Sequence, residues 1–140
     1  MGGLGRRFMC SRAEPFTILI VEDYALIALE IEDAVRRNGG QVLGPAAQIP
    51  DALALIETAA CDAALLDIKL ANGETVYAVA ERLEAKAVPF AFITAWDGEI
   101  DERFAHAPVL GKPFGEAELD RCLRVLIGSM PHPAGKRQAA

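Results

Sequence analysis

The chain has 140 residues, 52% of them hydrophobic, which is enough to bury the core of one domain without disulfides or a structural metal. Its 20 acidic residues outnumber its 14 basic ones and give a net charge of -6, which argues against direct binding of nucleic acid. The 3 cysteines lack a C-x-x-C pair and fit a reducing cytoplasm, and no signal peptide or apolar run of about 18 residues indicates secretion or membrane insertion.

The two ends of the chain differ in composition from its middle. Residues 1–15 and 129–140 are rich in glycine, proline and charge and show no apolar periodicity, so we expect flexible tails there. Residues 16–128 predict a single folded domain. Because few residues follow the last predicted helix, we expect no output domain.

Between the tails, short apolar runs alternate with segments whose apolar residues recur at helical spacing. In chain order, the first half predicts a strand at 17–21, a helix from 25 that stops at the Asn-Gly-Gly of 38–40, a strand at 41–44 and a helix at 51–60. The second half predicts a strand at 63–67, a helix at 74–86, strands at 90–94 and 108–111, and a last helix at 116–127. This alternation predicts an α/β fold, a doubly wound five-stranded parallel sheet with helices on both faces.

Polar residues stand where the apolar runs end. Glu22 and Asp23 follow the first strand, Asp67 ends the third, Thr94 ends the fourth and Lys112 follows the fifth. One Asp at a strand end is ordinarily a turn residue. Because parallel sheets bind ligands at the carboxyl ends of their strands, three acids, a hydroxyl and an ammonium at four strand ends favour a site.

The residue types at these strand ends indicate phosphoryl chemistry with a divalent ion. Three crowded carboxylates repel one another unless a cation lies among them, and a set of oxygen donors favours Mg²⁺. Asp67 would then act as the nucleophile toward a phosphoryl group. The Lys112 ammonium and the Thr94 hydroxyl would each contact one of the phosphoryl oxygens.

The motifs "ILIVED", "LLDIKL", "FIT" and "GKPF", in this order, resemble those of the bacterial response-regulator receiver domain over about residues 16–128. The resemblance implies a flavodoxin-like fold with strand order 2-1-3-4-5. It also implies that a histidine kinase phosphorylates Asp67 and that Mg²⁺ binds Glu22, Asp23 and Asp67. The peptide bond between Lys112 and Pro113 is expected to be cis by the same resemblance.

A narrower resemblance is carried by "NGETVYAVAERL", "PFAFITAW" and "VLGKPF", which look like the stand-alone alphaproteobacterial receivers nicknamed FAT GUY. Those receivers resemble partners of sensor kinases of the HWE or HisKA2 type. Ala95 and Trp96 depart from the usual Gly and Tyr, and Val109 stands where most receivers carry a switching aromatic residue. The resemblance therefore leaves open whether Trp96 takes over the switch or only packs.

These observations predict a stand-alone two-component response regulator that acts through protein contacts with an unidentified downstream protein. It would be a phosphoacceptor that promotes its own phosphorylation and dephosphorylation, not an enzyme with a separate substrate. A phosphate sink, a phosphorelay intermediate and a degenerate receiver that only binds remain alternatives, and homodimerisation stays open. A haloacid-dehalogenase-like phosphatase needs a second acid two residues after the nucleophile, where this chain has Lys69.

The segment "DGEIDERFAH" at 97–106 predicts a short fourth helix. Its apolar anchors are Ile100, Phe104 and Ala105, too few to predict firm docking. We hypothesise that phosphorylation orders residues 96–106 and so creates the surface that a partner recognises.

Overall fold

The computed structural model describes residues 15–95, 98 and 100–131. Its five strands form one sheet in the order β2-β1-β3-β4-β5, and every neighbouring pair is parallel. The strands are β1 (Phe16–Val21), β2 (Gly40–Ala46), β3 (Ala63–Asp67), β4 (Phe90–Thr94) and β5 (Val109–Gly111). The doubly wound, flavodoxin-like fold and the strand order predicted from the sequence are confirmed.

In the described part of the chain, four helices cover the two faces of this sheet. They are α1 (Ala25–Arg37), α2 (Ile49–Thr58), α3 (Tyr77–Ala85) and α4 (Glu116–Ser129). Within the described residues, none of these helices has the length and apolar character needed to cross a bilayer.

The sheet separates two apolar cores, and β3 contributes to both because it is buried along its whole length. Ala64 and Leu66 pack in the core formed with α2 and α3. Ala63 and Leu65 pack in the other core, which includes α1 and α4. Alternate side chains of a strand point to opposite faces, so a continuous apolar run is what this central position requires.

Helix α3 begins three residues later than the sequence pattern predicts, at Tyr77. The chain before it forms a turn in which Gly73 has a φ of 90° and Glu74 N donates to Asn72 Oδ1 at 2.9 Å. Val76 N then donates to Ile68 O at 2.8 Å, which returns the chain to the end of β3. Hydrogen bonds across this loop therefore take the place of the first predicted helical turn.

The predicted fourth helix is a single 3-10 turn at Glu102–Phe104. Phe104 is buried and Ile100 is half-buried, as expected of anchors, but Ala105 is exposed. The prediction of Ala105 as an anchor was wrong, since one 3-10 turn leaves it on the outer side and buries Ala107 instead. Trp96, the tail at 1–14 and residues 132–140 lie outside the described residues.

Candidate functional site

The polar residues picked out by the sequence meet at the carboxyl edge of the sheet. Glu22 and Asp23 follow β1, Asp67 and Thr94 are the last residues of β3 and β4, and Lys112 follows β5. Lys112 N donates to Thr94 O at 2.9 Å, which aligns the ends of the last two strands. The parallel register of the sheet therefore brings residues from four distant parts of the sequence together.

Three carboxylates form a tight cluster at this edge. One oxygen from each of Glu22, Asp23 and Asp67 lies within 4.8 Å of the others. Glu22 and Asp67 are only 3% and 6% exposed, so little water screens their mutual repulsion. Such a cluster favours the approach of a cation.

Lys112 supplies one positive charge to the cluster. Its Nζ lies 2.9 Å from Glu22 Oε1 and donates to Asp67 Oδ2 at 3.2 Å. Burial of the ammonium acts to lower the pKa of Lys112, but the contacts with Glu22 and Asp67 outweigh it, and the net result is a raised pKa. Lys112 is thus held in its charged form against two carboxylates.

Burial is the main reason why the pKa of Asp67 rises from 3.8 to about 6. The negative charge of Glu22 adds to this rise, and the ammonium of Lys112 opposes it without cancelling it. A carboxylate whose ionised form is disfavoured in this way gains from any further positive charge placed beside it.

The donor set fits a hard divalent ion such as Mg²⁺. Among the described residues, Glu22 Oε1 is a buried oxygen without a well-formed hydrogen bond, although it lies 2.9 Å from Lys112 Nζ in an ion pair. Asp23 is partly exposed, and its Oδ2 accepts a hydrogen bond from Ala71 N. Three carboxylates with one unsatisfied buried oxygen and one member open to solvent match the preference of Mg²⁺ for oxygen ligands and retained water.

A pocket open to solvent lies at Asp67. Asp67, Lys69, Thr94, Ala95 and Lys112 line it, so a hydroxyl and an ammonium share this space with the carboxylate. Lys69 is itself exposed. The pocket therefore combines hydrogen-bond donors for a phosphoryl group with access from solvent.

Other residues named from the sequence have different outcomes. The peptide bond between Lys112 and Pro113 is cis, which confirms that prediction. Ala95 is exposed at the pocket. Val109 is 48% exposed, so its side chain is not packed in the core as a buried aromatic residue at this position would be. The role suggested for Trp96 falls on a residue outside the described part of the chain.

Tyr77 is a functional candidate that the sequence did not single out. Its hydroxyl accepts a hydrogen bond from Asp101 N at 3.1 Å, and its ring stacks on Phe104 with centroids 5.6 Å apart. The hydrogen-bond partner is 24 residues away in sequence. Helical periodicity is a local signal and contains no information about such a partner, so only the fold reveals this role.

Comparisons with known proteins identify relatives, although no family model matches the chain. The solution structure of SdrG from Sphingomonas melonis Fr1 is 40% identical, with a TM-score of 0.71 over 80% of this chain and 96% of that one. A structure of the BeF3-activated conformation of SdrG also matches, with a TM-score of 0.66. The solution structure of the response regulator REC domain of PhyR from Erythrobacter litoralis is 28% identical, with a TM-score of 0.74 over 86% of this chain and 96% of that one.

Two curated relatives match part of their own length. The phyllosphere-induced regulator PhyR of Methylorubrum extorquens is 36% identical over 106 residues, which are 73% of this chain and 40% of that protein. The transcriptional regulatory protein PdtaR of Mycobacterium tuberculosis is 28% identical over 119 residues, 82% of this chain and 58% of that protein. The chain therefore spans about half the length of the curated relatives it matches.

Proposed function

The chain belongs to the receiver domains of bacterial response regulators, which are signalling domains, and we propose that it receives a phosphoryl group on Asp67. The observation that carries this proposal is that Asp67 shares one ammonium with a second carboxylate at the edge of an open pocket. Lys112 Nζ donates to Asp67 Oδ2 at 3.2 Å and lies 2.9 Å from Glu22 Oε1. A nucleophilic carboxylate at an open pocket with a cation beside it is suited to attack phosphorus.

Glu22, Asp23 and Asp67 would hold Mg²⁺, whose charge neutralises the carboxylates and the phosphoryl oxygens when it is bound. In the transfer, an oxygen of Asp67 forms a bond to phosphorus while the bond from phosphorus to the donor nitrogen breaks. The donor keeps that electron pair and takes up a proton. Lys112 and Thr94 then hydrogen-bond to phosphoryl oxygens, which stabilises the charge that the transfer brings into the pocket.

We propose a sensor histidine kinase as the donor and an unidentified protein as the downstream target. The narrower assignment to a kinase of the HWE or HisKA2 type rests on the three sequence strings that resemble FAT GUY receivers. Because Lys112 and Thr94 line the same pocket as the acceptor, we also propose that the domain promotes its own phosphorylation and dephosphorylation. A cytoplasmic location belongs to the same proposal.

Incubation with acetyl phosphate and Mg²⁺, followed by intact mass measurement, tests the acceptor. We expect the wild-type chain to gain one phosphoryl group and Asp67→Asn to gain none, because an amide has the shape of the carboxylate without its nucleophilicity. Asp33→Asn, on the exposed face of α1, is the matched control and should be labelled like the wild type.

Each other result points to a different function. A wild-type chain that gains no phosphoryl group would be a binding module without phosphoacceptor activity. Sustained release of phosphate over many turnovers would indicate a phosphatase. Stoichiometric labelling of Asp67→Asn would show that another residue is the acceptor.

A further inference from the structure

One stripe of helix α3 holds the segment Ile100–Ala107 in place. Tyr77, Glu81 and Glu84 are spaced by four and three residues, so they lie on the same side of the helix. All three have a polar contact with the segment: Tyr77 with Asp101, Glu81 with Arg103 and Glu84 with His106. We call these three contacts the α3 latch.

The contact made by Tyr77 is the most buried part of the α3 latch. Its hydroxyl accepts a hydrogen bond from Asp101 N, and its ring contacts both Phe104, stacked at 5.6 Å, and Phe92, edge-on at 6.1 Å. Phe104 is 1% exposed and Phe92 is fully buried. Tyr77 therefore joins α3, the strand β4 and the segment at one point.

The other two contacts lie at the surface: an ion pair between Arg103 and Glu81, and a contact between His106 and Glu84. The guanidinium of Arg103 pairs with Glu81 and with Asp101 and lies 4.9 Å from the centroid of the Phe104 ring. His106 Nε2 lies 2.8 Å from Glu84 Oε2. Exposed pairs of this kind contribute little individually, so they can break without unfolding the domain.

Both of the strand ends that carry Asp67 and Thr94 lead directly to Tyr77. From Asp67, the next residue Ile68 accepts a hydrogen bond from Val76 N at 2.8 Å, and Tyr77 follows Val76. From Thr94, the same face of β4 presents Phe92, whose ring contacts Tyr77. A displacement at either strand end thus reaches Tyr77 through one or two contacts.

We propose that Tyr77 is the positioning residue that transmits the state of Asp67 to the surface formed by Ile100–Ala107, an inference that rests on the proposed function. Occupation of the pocket moves the ends of β3 and β4, Tyr77 moves with them, and the hydrogen bond to Asp101 N changes. The exposed side-chain contacts of the α3 latch then re-form in a new arrangement. The segment thereby presents different side chains to a partner protein.

Hydrogen exchange of the wild-type chain and of Tyr77→Phe, with and without saturating beryllofluoride and Mg²⁺, tests this proposal. Tyr77→Phe keeps the ring and removes the acceptor, so we expect exchange at the Asp101 amide to become about two- to tenfold faster in the resting state. In the wild type, exchange over 100–107 should change on activation. In Tyr77→Phe that change should be lost, while labelling by acetyl phosphate proceeds at the wild-type rate.

The control is Tyr24→Phe, which removes the hydroxyl of an exposed tyrosine and should behave as the wild type in every measurement. A merely structural role for Tyr77 would alter exchange equally in both states, so the lost difference between states is the decisive result. An unchanged response in Tyr77→Phe, or no response of the segment in the wild type, would overturn the proposed role of Tyr77. In either case the phosphoryl adduct would still form. Absence of that adduct in the wild type would overturn both the proposed function and the proposed role of Tyr77.

Discussion

The carboxylate cluster and the aromatic contacts around Phe104 are built in opposite ways. At the cluster, Glu22 and Asp67 are buried charges with one ammonium between them, so folding without a metal works against their repulsion. Around Phe104, apolar rings are buried against one another and the charges remain at the surface. Binding of a cation would stabilise the carboxylate cluster. The burial of aromatic rings contributes the folding free energy that offsets the repulsion within the cluster.

The aromatic region gains its stability from close ring contacts. Phe104 meets Phe90 and Phe92 edge-on at 5.9 and 6.2 Å and stacks on Tyr77. Edge-on and offset arrangements of rings add to the free energy that burial already provides. The sequence predicted weak docking of the segment Ile100–Ala107, whereas these ring contacts anchor it through Phe104. The mobility of the segment stays a prediction.

Removing the central ring should have the largest effect on stability. We expect Phe104→Ala to lower the free energy of unfolding by about 3–5 kcal/mol, because the side chain is fully buried and leaves a cavity. Urea denaturation measures this change. Val125→Ala, at a position 55% exposed, is the control and should change stability by less than about 0.5 kcal/mol. Equal losses in the two variants would show that Phe104 is not the anchor.

Removing a charge from the carboxylate cluster should raise stability, in contrast to the loss expected for Phe104→Ala. The raised pKa of Asp67, from 3.8 to about 6, means that the folded state binds the proton more tightly than the unfolded state. This contribution to stability is full below about pH 4 and is lost as the pH rises through about 6. In the presence of EDTA, Asp67→Asn should therefore be more stable than the wild type at pH 7, by about 3 kcal/mol at most.

The same comparison at low pH checks the sign. At pH 4 the wild-type carboxyl is largely protonated and resembles the amide, so the two proteins should have similar midpoints in urea. Addition of Mg²⁺ at pH 7 should stabilise the wild type, since the ion binds only the folded state. A wild type that is more stable than Asp67→Asn in EDTA at pH 7 would contradict the repulsion at this site.

The effect of Asp23 on metal binding should be smaller but still clear. We expect Asp23→Ala to weaken Mg²⁺ binding by about tenfold or more, because the variant removes one of three clustered carboxylates. Metal titration followed by calorimetry measures the affinity. Asp33→Ala removes the same charge from the exposed face of α1, so a similar loss in both variants would mean that Asp23 acts only through its charge and is not a ligand.

The candidate site was predictable because its residues end apolar runs. The run before Asp67 and the run before Thr94 have the bounds that the structure gives to β3 and β4. A parallel sheet necessarily brings such ends to one edge, so the sequence pattern was sufficient to place Glu22, Asp23 and Lys112 beside them. The clustering needed no information about side-chain packing.

The α3 latch was not predictable, because it depends on contacts between segments that are far apart. Tyr77 reads as one position in a helix predicted at 74–86, and the hydrogen bond from Val76 N to Ile68 O that sets the start of α3 follows from the loop geometry. Arg103 lies in a charged run that is typical of a solvated face. Its partner Glu81 is on another element, and the sequence does not indicate their contact.

Arg103→Gln should have the smallest effect and one that depends on salt. Arg103 is half-exposed and pairs with Glu81 and Asp101, so we expect no resolvable change in the urea midpoint. Hydrogen exchange over 100–107 should nevertheless become faster, because the guanidinium links the segment to α3. Surface ion pairs are screened strongly at about 1 M salt, where the wild type and the variant should exchange alike.

Arg82→Gln is the matched control for this variant. Arg82 makes a similar exposed pair, with its Nε 2.6 Å from Glu57 Oε2, but it joins α3 to α2 on the other side of the helix. Its loss should leave exchange over 100–107 unchanged at every salt concentration. Faster exchange in Arg82→Gln would mean that the effect of Arg103→Gln is not specific to its contacts with the segment. An effect of Arg103→Gln that persists at about 1 M salt would mean that Arg103 acts through packing on Phe104. The segment would then be held by its aromatic contacts alone, and the surface ion pairs of Arg103 would not contribute to its position.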